Sequence, residues 1–167
     1  MYPDKHKIRP LIFLLLFTSS LAHALSSDKD QPVSIEADSV DIDETTEKAI
    51  YRGNVILIQG SINLTASRVV VHNFQSDNAR IVATGNQVKF SQEEDKTGQI
   101  IKGNADKTEY GINSARLELT GKASLIKGKN TFRNDRIIYD REKAIVKAGT
   151  SAEGKERVKI TIGGKKQ

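Results

Sequence analysis

Apolar residues recur at every second position along most of the chain, and no window of eleven or more residues carries a clear 3.6-residue apolar period. The runs include Val33-Ile35, Val40-Ile42, Ala49 to Leu57, Ile62-Leu64, Val69-Val71, Ile81-Ala83, Val88-Phe90, Leu117-Leu119, Ala123-Leu125, Ile137-Tyr139 and Val158-Ile160-Ile162. Successive side chains of a strand point to opposite faces, so a period of two describes a pleated surface with one buried side. Turn signals separate the runs at intervals of roughly 8 to 12 residues, the spacing of an all-β roll, barrel or sandwich. Proline stands only at positions 3, 10 and 32. Nothing after Pro32 therefore removes a ladder donor. The pattern predicts an all-β chain of many short antiparallel strands.

The pattern also returns. A shift of 68 positions without gaps carries Ala37-Asp38 onto Ala105-Asp106, Gly53 onto Gly121, Leu57 onto Leu125 and Gly60 onto Gly128. The same shift carries Leu64 onto Phe132, Arg68 onto Arg136 and Val69 onto Ile137. The stretch RIVATG (80–85) further resembles AIVKAG (144–149). Self-similarity at a fixed offset is the mark of a structure built from stacked strand groups.

Within AIYRGNVILIQG (49–60), Ala49, Tyr51, Val55 and Leu57 share one face, yet Ile50, Ile56 and Ile58 are apolar on the other. The second set is expected to face outward, at a sheet edge or beneath a partner.

The first 24 residues have a different character. A basic start (Lys5, Lys7, Arg9), the apolar run Leu11–Phe17 and the small-residue end Ala22-His23-Ala24 form the three parts of a secretory signal. Seven unbroken apolar residues fall far short of the roughly 20 that span a bilayer. Cleavage after Ala24 is predicted, which places residues 25–163 in one exported β domain and leaves 164–167 as a basic tail. The segment from Arg141 onward holds eight basic and three acidic residues. Such an end suits an acidic partner, an anionic headgroup or plain solvation.

Catalytic and metal chemistry finds little footing. Cysteine is absent, which removes thiolate ligands and nucleophiles. His72 is the one histidine outside the predicted signal, so no histidine pair can hold zinc. No phosphate-binding GxxxxGK[ST] loop and no GxSxG elbow occur. The acid run Glu93-Glu94-Asp95 before Lys96-Thr97-Gly98 reads as a solvated hairpin turn. Nucleic acid is a poor partner for an exported chain without a basic-aromatic patch. These readings predict a non-enzyme with no cofactor and no metal.

The stretch DQPVSIEADSVDIDETTEKAIYRGNVILIQGSINLTASRVVV (30–71) resembles the OstA-like (organic-solvent-tolerance) family of periplasmic lipopolysaccharide-transport proteins. The segments GNQVKFSQ (85–92), IKGNADKTEY (101–110) and LTGKASL (119–125) continue the resemblance in order. It implies an open, twisted β-jelly-roll that holds the lipid A part of lipopolysaccharide in an apolar groove. It implies head-to-tail assembly with copies of itself, with an inner-membrane LptC-like partner and with the jelly-roll domain of an outer-membrane LptD-like partner. By the same resemblance Val33, Ile35, Ile42, Phe90 and Ile112 contact lipid. Reading every second residue as inward adds Tyr51, Val55, Leu57, Leu64, Leu117, Leu119 and Phe132 to the lining. The outermost strands, near Val33–Ile35 and Val158, Ile160 and Ile162, become the edges for strand addition. A ligand-free adhesion β-solenoid and a membrane-anchored LptC-like subunit remain as alternatives at this point.

Overall fold

The computed structural model describes residues 28–94 and 97–163; the predicted signal (1–24) and basic tail (164–167) lie outside the described residues. Ten strands run through them: β1 (Ser34–Glu36), β2 (Ser39–Asp43), β3 (Lys48–Gln59), β4 (Ile62–His72), β5 (Arg80–Glu93), β6 (Ile100–Gly111), β7 (Arg116–Lys127), β8 (Asn130–Asp140), β9 (Ile145–Ala148) and β10 (Lys159–Thr161). Two 3-10 turns, Asp28–Asp30 and Gly149–Ala152, are the helical elements among the described residues. All pairings are antiparallel. β3 to β8 follow one another as a meander. β1 and β2 share the outer edge of β3, and β9 and β10 share the outer edge of β8.

The short apolar runs of the sequence are half-strands. Each of the five central ladders breaks register at its middle: between Arg52 and Val55, Thr65 and Arg68, Thr84 and Val88, Asn104 and Lys107, and Thr120 and Ala123. A bulge bends its strand and sharpens the local twist. Aligned across six strands, the bulges fold the sheet along one line into two layers. The first layer holds β2, β9 and the 48–52, 68–72, 80–84, 107–111, 116–120 and 136–140 halves. The second holds β1, β10 and the halves beyond the bulges. A flat sheet leaves one face open to water. Here Ile81, Leu117 and Ile137 of the first layer and Leu57, Ile101 and Leu125 of the second are all fully buried in one cluster. The layers therefore face each other across a shared apolar interior.

The bend has local chemistry. Gly53 and Asn54 both have positive φ, 77° and 43°, and Gly121 and Lys122 repeat this at 78° and 46°. Left-handed backbone favours glycine, which lacks the clashing Cβ. Glycine is needed at Gly121 for space as well: a Cβ there would lie 2.7 Å from Asp106 Oδ2. Asp38 packs on Gly53 in the same way, and its backbone N–H donates to Gly53 O at 3.0 Å.

The 68-residue shift is structural. It carries β3 onto β7 and β4 onto β8 end to end, bulges included. It carries β1 and β2 onto the two halves of β6. The edges of the sheet are thus split versions of strands that are continuous inside it. Ile56 and Ile58 face outward as expected, at 37% and 44% exposure.

Candidate functional site

Between the split edge strands the interior opens. A cavity of about 320 Å³ lies where β1 and β2 diverge. Val33 and Ile35 form its second-layer wall. Ile42, Ala49, Tyr51, Val71 and Ile81 form the first-layer wall, and Phe74, Ala79 and Ile112 come from strand connections. The divergence has a cause: the chain turns at Ala37-Asp38, sending β1 along one layer and β2 along the other. Since a cavity of about 150 Å³ accepts benzene, this one accommodates on the order of a dozen carbon atoms. Its walls carry no charged side chain. It suits a hydrocarbon tail rather than a polar substrate.

Of the positions expected to contact lipid, Val33, Ile35, Ile42, Tyr51 and Ile112 line this cavity. Val55, Leu57, Leu64, Phe90, Leu117 and Leu119 are at most 3% exposed and pack against one another in the closed middle of the interior. Phe132 is half-buried toward the opposite edge, paired across from Ile160. Phe74 and Ala79 complete the cavity but escape a sequence reading. Phe74 is a single aromatic in the polar loop HNFQSDN, with no periodic neighbour to mark it inward.

Beside the cavity, where Tyr110 pairs across from the lining residue Ile81, the free tips of the two layers meet in a seam. Tyr139 of the seam falls in the period-two run Ile137-Tyr139, but the seam's charged and amide members stand at strand ends and carry no periodic signal. Two clusters of matching composition close it. In the first, Arg141 Nη1 donates to Tyr110 Oη at 2.7 Å, its Nε donates to Gln92 Oε1 at 2.8 Å, and its Nη2 reaches Asp28 Oδ2 at 3.3 Å. Tyr110 Oη in turn donates to Gln59 Oε1 at 3.0 Å. Asp28 also accepts from Ser61 N at 2.6 Å, Ser61 Oγ at 2.8 Å and Gln92 Nε2 at 3.0 Å. In the second, Lys127 Nζ donates to Glu94 Oε1 at 2.7 Å and to Ala144 O at 3.3 Å, while Tyr139 Oη donates to the same Glu94 oxygen at 3.4 Å. Each cation also stands near a ring: Arg141 is 5.3 Å from the Tyr110 centroid, and Lys127 is 5.6 Å from that of Tyr139. The 68-residue shift carries Gln59 onto Lys127, so the repeat supplies one layer-bridging side chain to each cluster.

Electrostatics follow from this enclosure. The hydrogen bond from Lys127, then that from Thr97, holds the Glu94 carboxyl below the usual glutamate range. Burial pushes the Tyr110 hydroxyl up, and burial followed by the Glu94 charge pushes Tyr139 up. Two expectations change here. Glu94 stands in the β5–β6 hairpin turn, but its side chain is not solvated: it is 9% exposed and bonded to Lys127. Arg141, counted with a basic terminal segment, is a buried cross-brace instead. Among the described residues, no three His, Cys, Asp or Glu side chains gather as a metal cage.

The edges are the remaining feature. β1 and β2 pair with β3 alone, and β9 and β10 with β8 alone, so each has an unpaired side among the described residues. Val158, Ile160 and Ile162 are exposed at 37%, 53% and 76%, and Ile42 at 58%.

Comparison with known proteins gives this architecture a family. Residues 34–145 match the family model described as LptA/(LptD N-terminal domain) LPS transport protein. The lipopolysaccharide export system protein LptH of Pseudomonas aeruginosa is 34% identical over 143 residues, covering 84% of this chain and 82% of that protein. The lipopolysaccharide export system protein LptA of Escherichia coli K12 is 32% identical over 143 residues, covering 81% and 77%. The crystal structure of LptH, the LptA-homologous periplasmic component of the lipopolysaccharide transport device of P. aeruginosa, superposes with a TM-score of 0.75 at 28% identity, over 83% of this chain and all of that one. Sequence match, fold and the interior between two bent layers agree, and the chain belongs to the LptA/LptD-N-terminal-domain family of LPS transport proteins.

Proposed function

We propose that this protein is the free-standing periplasmic bridge of a lipopolysaccharide export system, carrying the lipid A part of its cargo in the interior between its two layers. The apolar cavity at the split edge carries this reading. Each methylene withdrawn from water contributes about 0.8 kcal/mol, so the dozen or so carbons that fit there contribute on the order of 10 kcal/mol. The cavity lies at the free edge of the sheet, where a cargo can arrive from a neighbouring jelly-roll without crossing water.

The rest of the interior is filled by Leu57, Leu64, Phe90, Leu117 and Leu119. Longer or additional acyl chains require these side chains to repack and the two layers to part at the seam. Transport of this kind makes and breaks no covalent bond, so the protein acts as a conduit and direction comes from an energised partner.

The chain enters the periplasm through the signal at 1–24, released after Ala24, and residues 25–163 act as one jelly-roll unit. The free side of β10 adds to the free side of β1 or β2 on the next unit, and the exposed Val158, Ile160 and Ile162 then continue the apolar lining. Inner-membrane LptC-like and outer-membrane LptD-like jelly-rolls cap the two ends of such a row. The experiment is photocrosslinking in cells, with a photoreactive residue at Tyr51 and radiolabelled lipopolysaccharide as probe. A labelled adduct at Tyr51, and none from an outward position such as Lys107, is expected. Equal labelling at both positions would overturn the interior as the path.

A further inference from the structure

The two seam clusters have a composition that structural closure alone does not require. Each contains a cation, a tyrosine and a carboxylate, set at the rim of an apolar interior, with the Arg141 side chain buried and that of Lys127 half-buried. The cations are rooted in the sheet. Lys127 is the last residue of β7, and Arg141 directly follows β8. The carboxylates are not. Asp28 belongs to the 3-10 turn ahead of β1, and Glu94 begins the β5–β6 connection. Arg141 meets Asp28 through a single contact of 3.3 Å rather than the two-pronged geometry its guanidinium favours with carboxylate or phosphate. An amphiphile whose tails enter between the layers must leave its head group at this rim.

We propose that Arg141 and Lys127 are the head-group site of the carrier, binding the phosphates of a phosphorylated glycolipid in competition with Asp28 and Glu94, the carboxylates that contact them in the seam. Loading exchanges one anion for another at each cation. The displaced carboxylates move into water on their connecting segments, and the layers part as the tails enter. The exchange spares the protein the cost of leaving the buried Arg141 charge unpaired in either state. It also makes opening conditional on an anionic head, so a tail without phosphate does not unlock the seam. This inference rests on the lipid-carrier reading above and adds the part of the cargo recognised and the residues that recognise it.

The test uses the whole purified protein, its double variant Asp28→Asn with Glu94→Gln, and two probes: lipid A, and the same lipid A stripped of its phosphates. Removing the internal competitors is expected to tighten phosphorylated lipid A about tenfold, roughly 1.4 kcal/mol, and to leave the stripped lipid unchanged. A variant that binds both lipids more weakly, or changes both alike, would overturn the exchange and leave the clusters as structural braces. Should the double variant fail to fold by circular dichroism, the protein with its seam intact decides. The chain has four tyrosines and no tryptophan, and Tyr110 and Tyr139 both sit in the seam. With Tyr51→Phe in the cavity wall, so that the seam tyrosines report, tyrosine emission is expected to change with phosphorylated lipid A but not with the stripped lipid or with inorganic phosphate. Identical responses to both lipids would refute the head-group site, and a response to inorganic phosphate alone would assign the site to free phosphate. A wild type that binds neither lipid would defeat the carrier reading itself, a result distinct from all of these.

Discussion

At the scale of single residues, cavity and core positions separate by what a polar substitution must displace. Ile35 stands at the cavity wall, half-buried on an edge strand, so a carboxylate there can reach water. Ile35→Asp is expected to keep the fold and weaken lipid A binding by about tenfold or more, measured by fluorescence displacement. Phe90 is 3% exposed within the closed cluster, and a carboxylate there would be buried without a partner. Phe90→Asp is expected to abolish cooperative folding, and Leu57→Ala to cost about 2–5 kcal/mol in denaturant titration. The seam adds pH dependence of two signs. Glu94 has a lowered pKa, so its contribution is complete above the ordinary glutamate value of 4.5 and fades as pH falls below it. Tyr110 and Tyr139 have raised pKa values, so their contribution is complete below the ordinary tyrosine value of 10.0 and fades as pH climbs above it. His72, whose pKa burial and then the Arg80 charge hold below the ordinary histidine value of 6.5, adds a fall that begins as pH drops below that value. The melting temperature is therefore expected to be highest between about 6.5 and 10.0 and to fall on both sides. Glu94→Gln flattens the acid side and Tyr139→Phe the alkaline side. An acid limb unaltered by Glu94→Gln would show that the bond to Lys127 contributes nothing.

At the scale of elements, the bulge line decides the fold, and it explains what a sequence reader can and cannot see. Period-two runs identify half-strands reliably, because one face of each half is buried. They do not reveal that two runs join through a bulge: on β3 and β7 the inward positions keep their parity across it, and on β4, β5, β6 and β8 the parity changes. On β4 the inward set passes from Ile62 and Leu64 to Val69 and Val71. On β5 it passes from Ile81 and Ala83 to Val88 and Phe90. The glycines Gly53 and Gly121 lie in the middle of long strands, although each looks like the end of an apolar run. The 68-residue repeat does show in the sequence, because both copies need glycine at the bend and aspartate beside it. Replacing Gly121 by Val is expected to cost about 1–3 kcal/mol, since a β-branched residue must take a φ near 78° beside Asp106. The equivalent change at Gly53 should cost a similar amount, and thermal melts of the two variants check the equivalence. A melt of Gly121→Val matching wild type would mean that the bend does not depend on that backbone conformation.

At the scale of the whole molecule, the two ends of the sheet are built differently from its middle, and that difference carries the assembly argument. A sheet edge with unpaired N–H and C=O groups invites another chain, and stable monomers usually blunt it with charge, proline or cover. This chain blunts little. β2 carries Val40 and Ile42 at 48% and 58% exposure, and the strand at the other end carries Ile160, with Ile162 just beyond it. A closed barrel would have joined these edges to each other. Instead each edge is split between the two layers, so a neighbour that adds to one end meets both layers at once and keeps its interior in line. The cavity opens at one such end, where the next unit's interior would begin. Light scattering of the wild type is accordingly expected to rise with protein concentration through end-to-end rows. Ile160→Lys with Ile162→Lys should hold the protein as single units while each still binds lipid A, because neither residue touches the cavity. Rows that persist in that variant would move the contact to another surface. Loss of lipid binding along with the rows would mean that the cargo site is completed only by two units together.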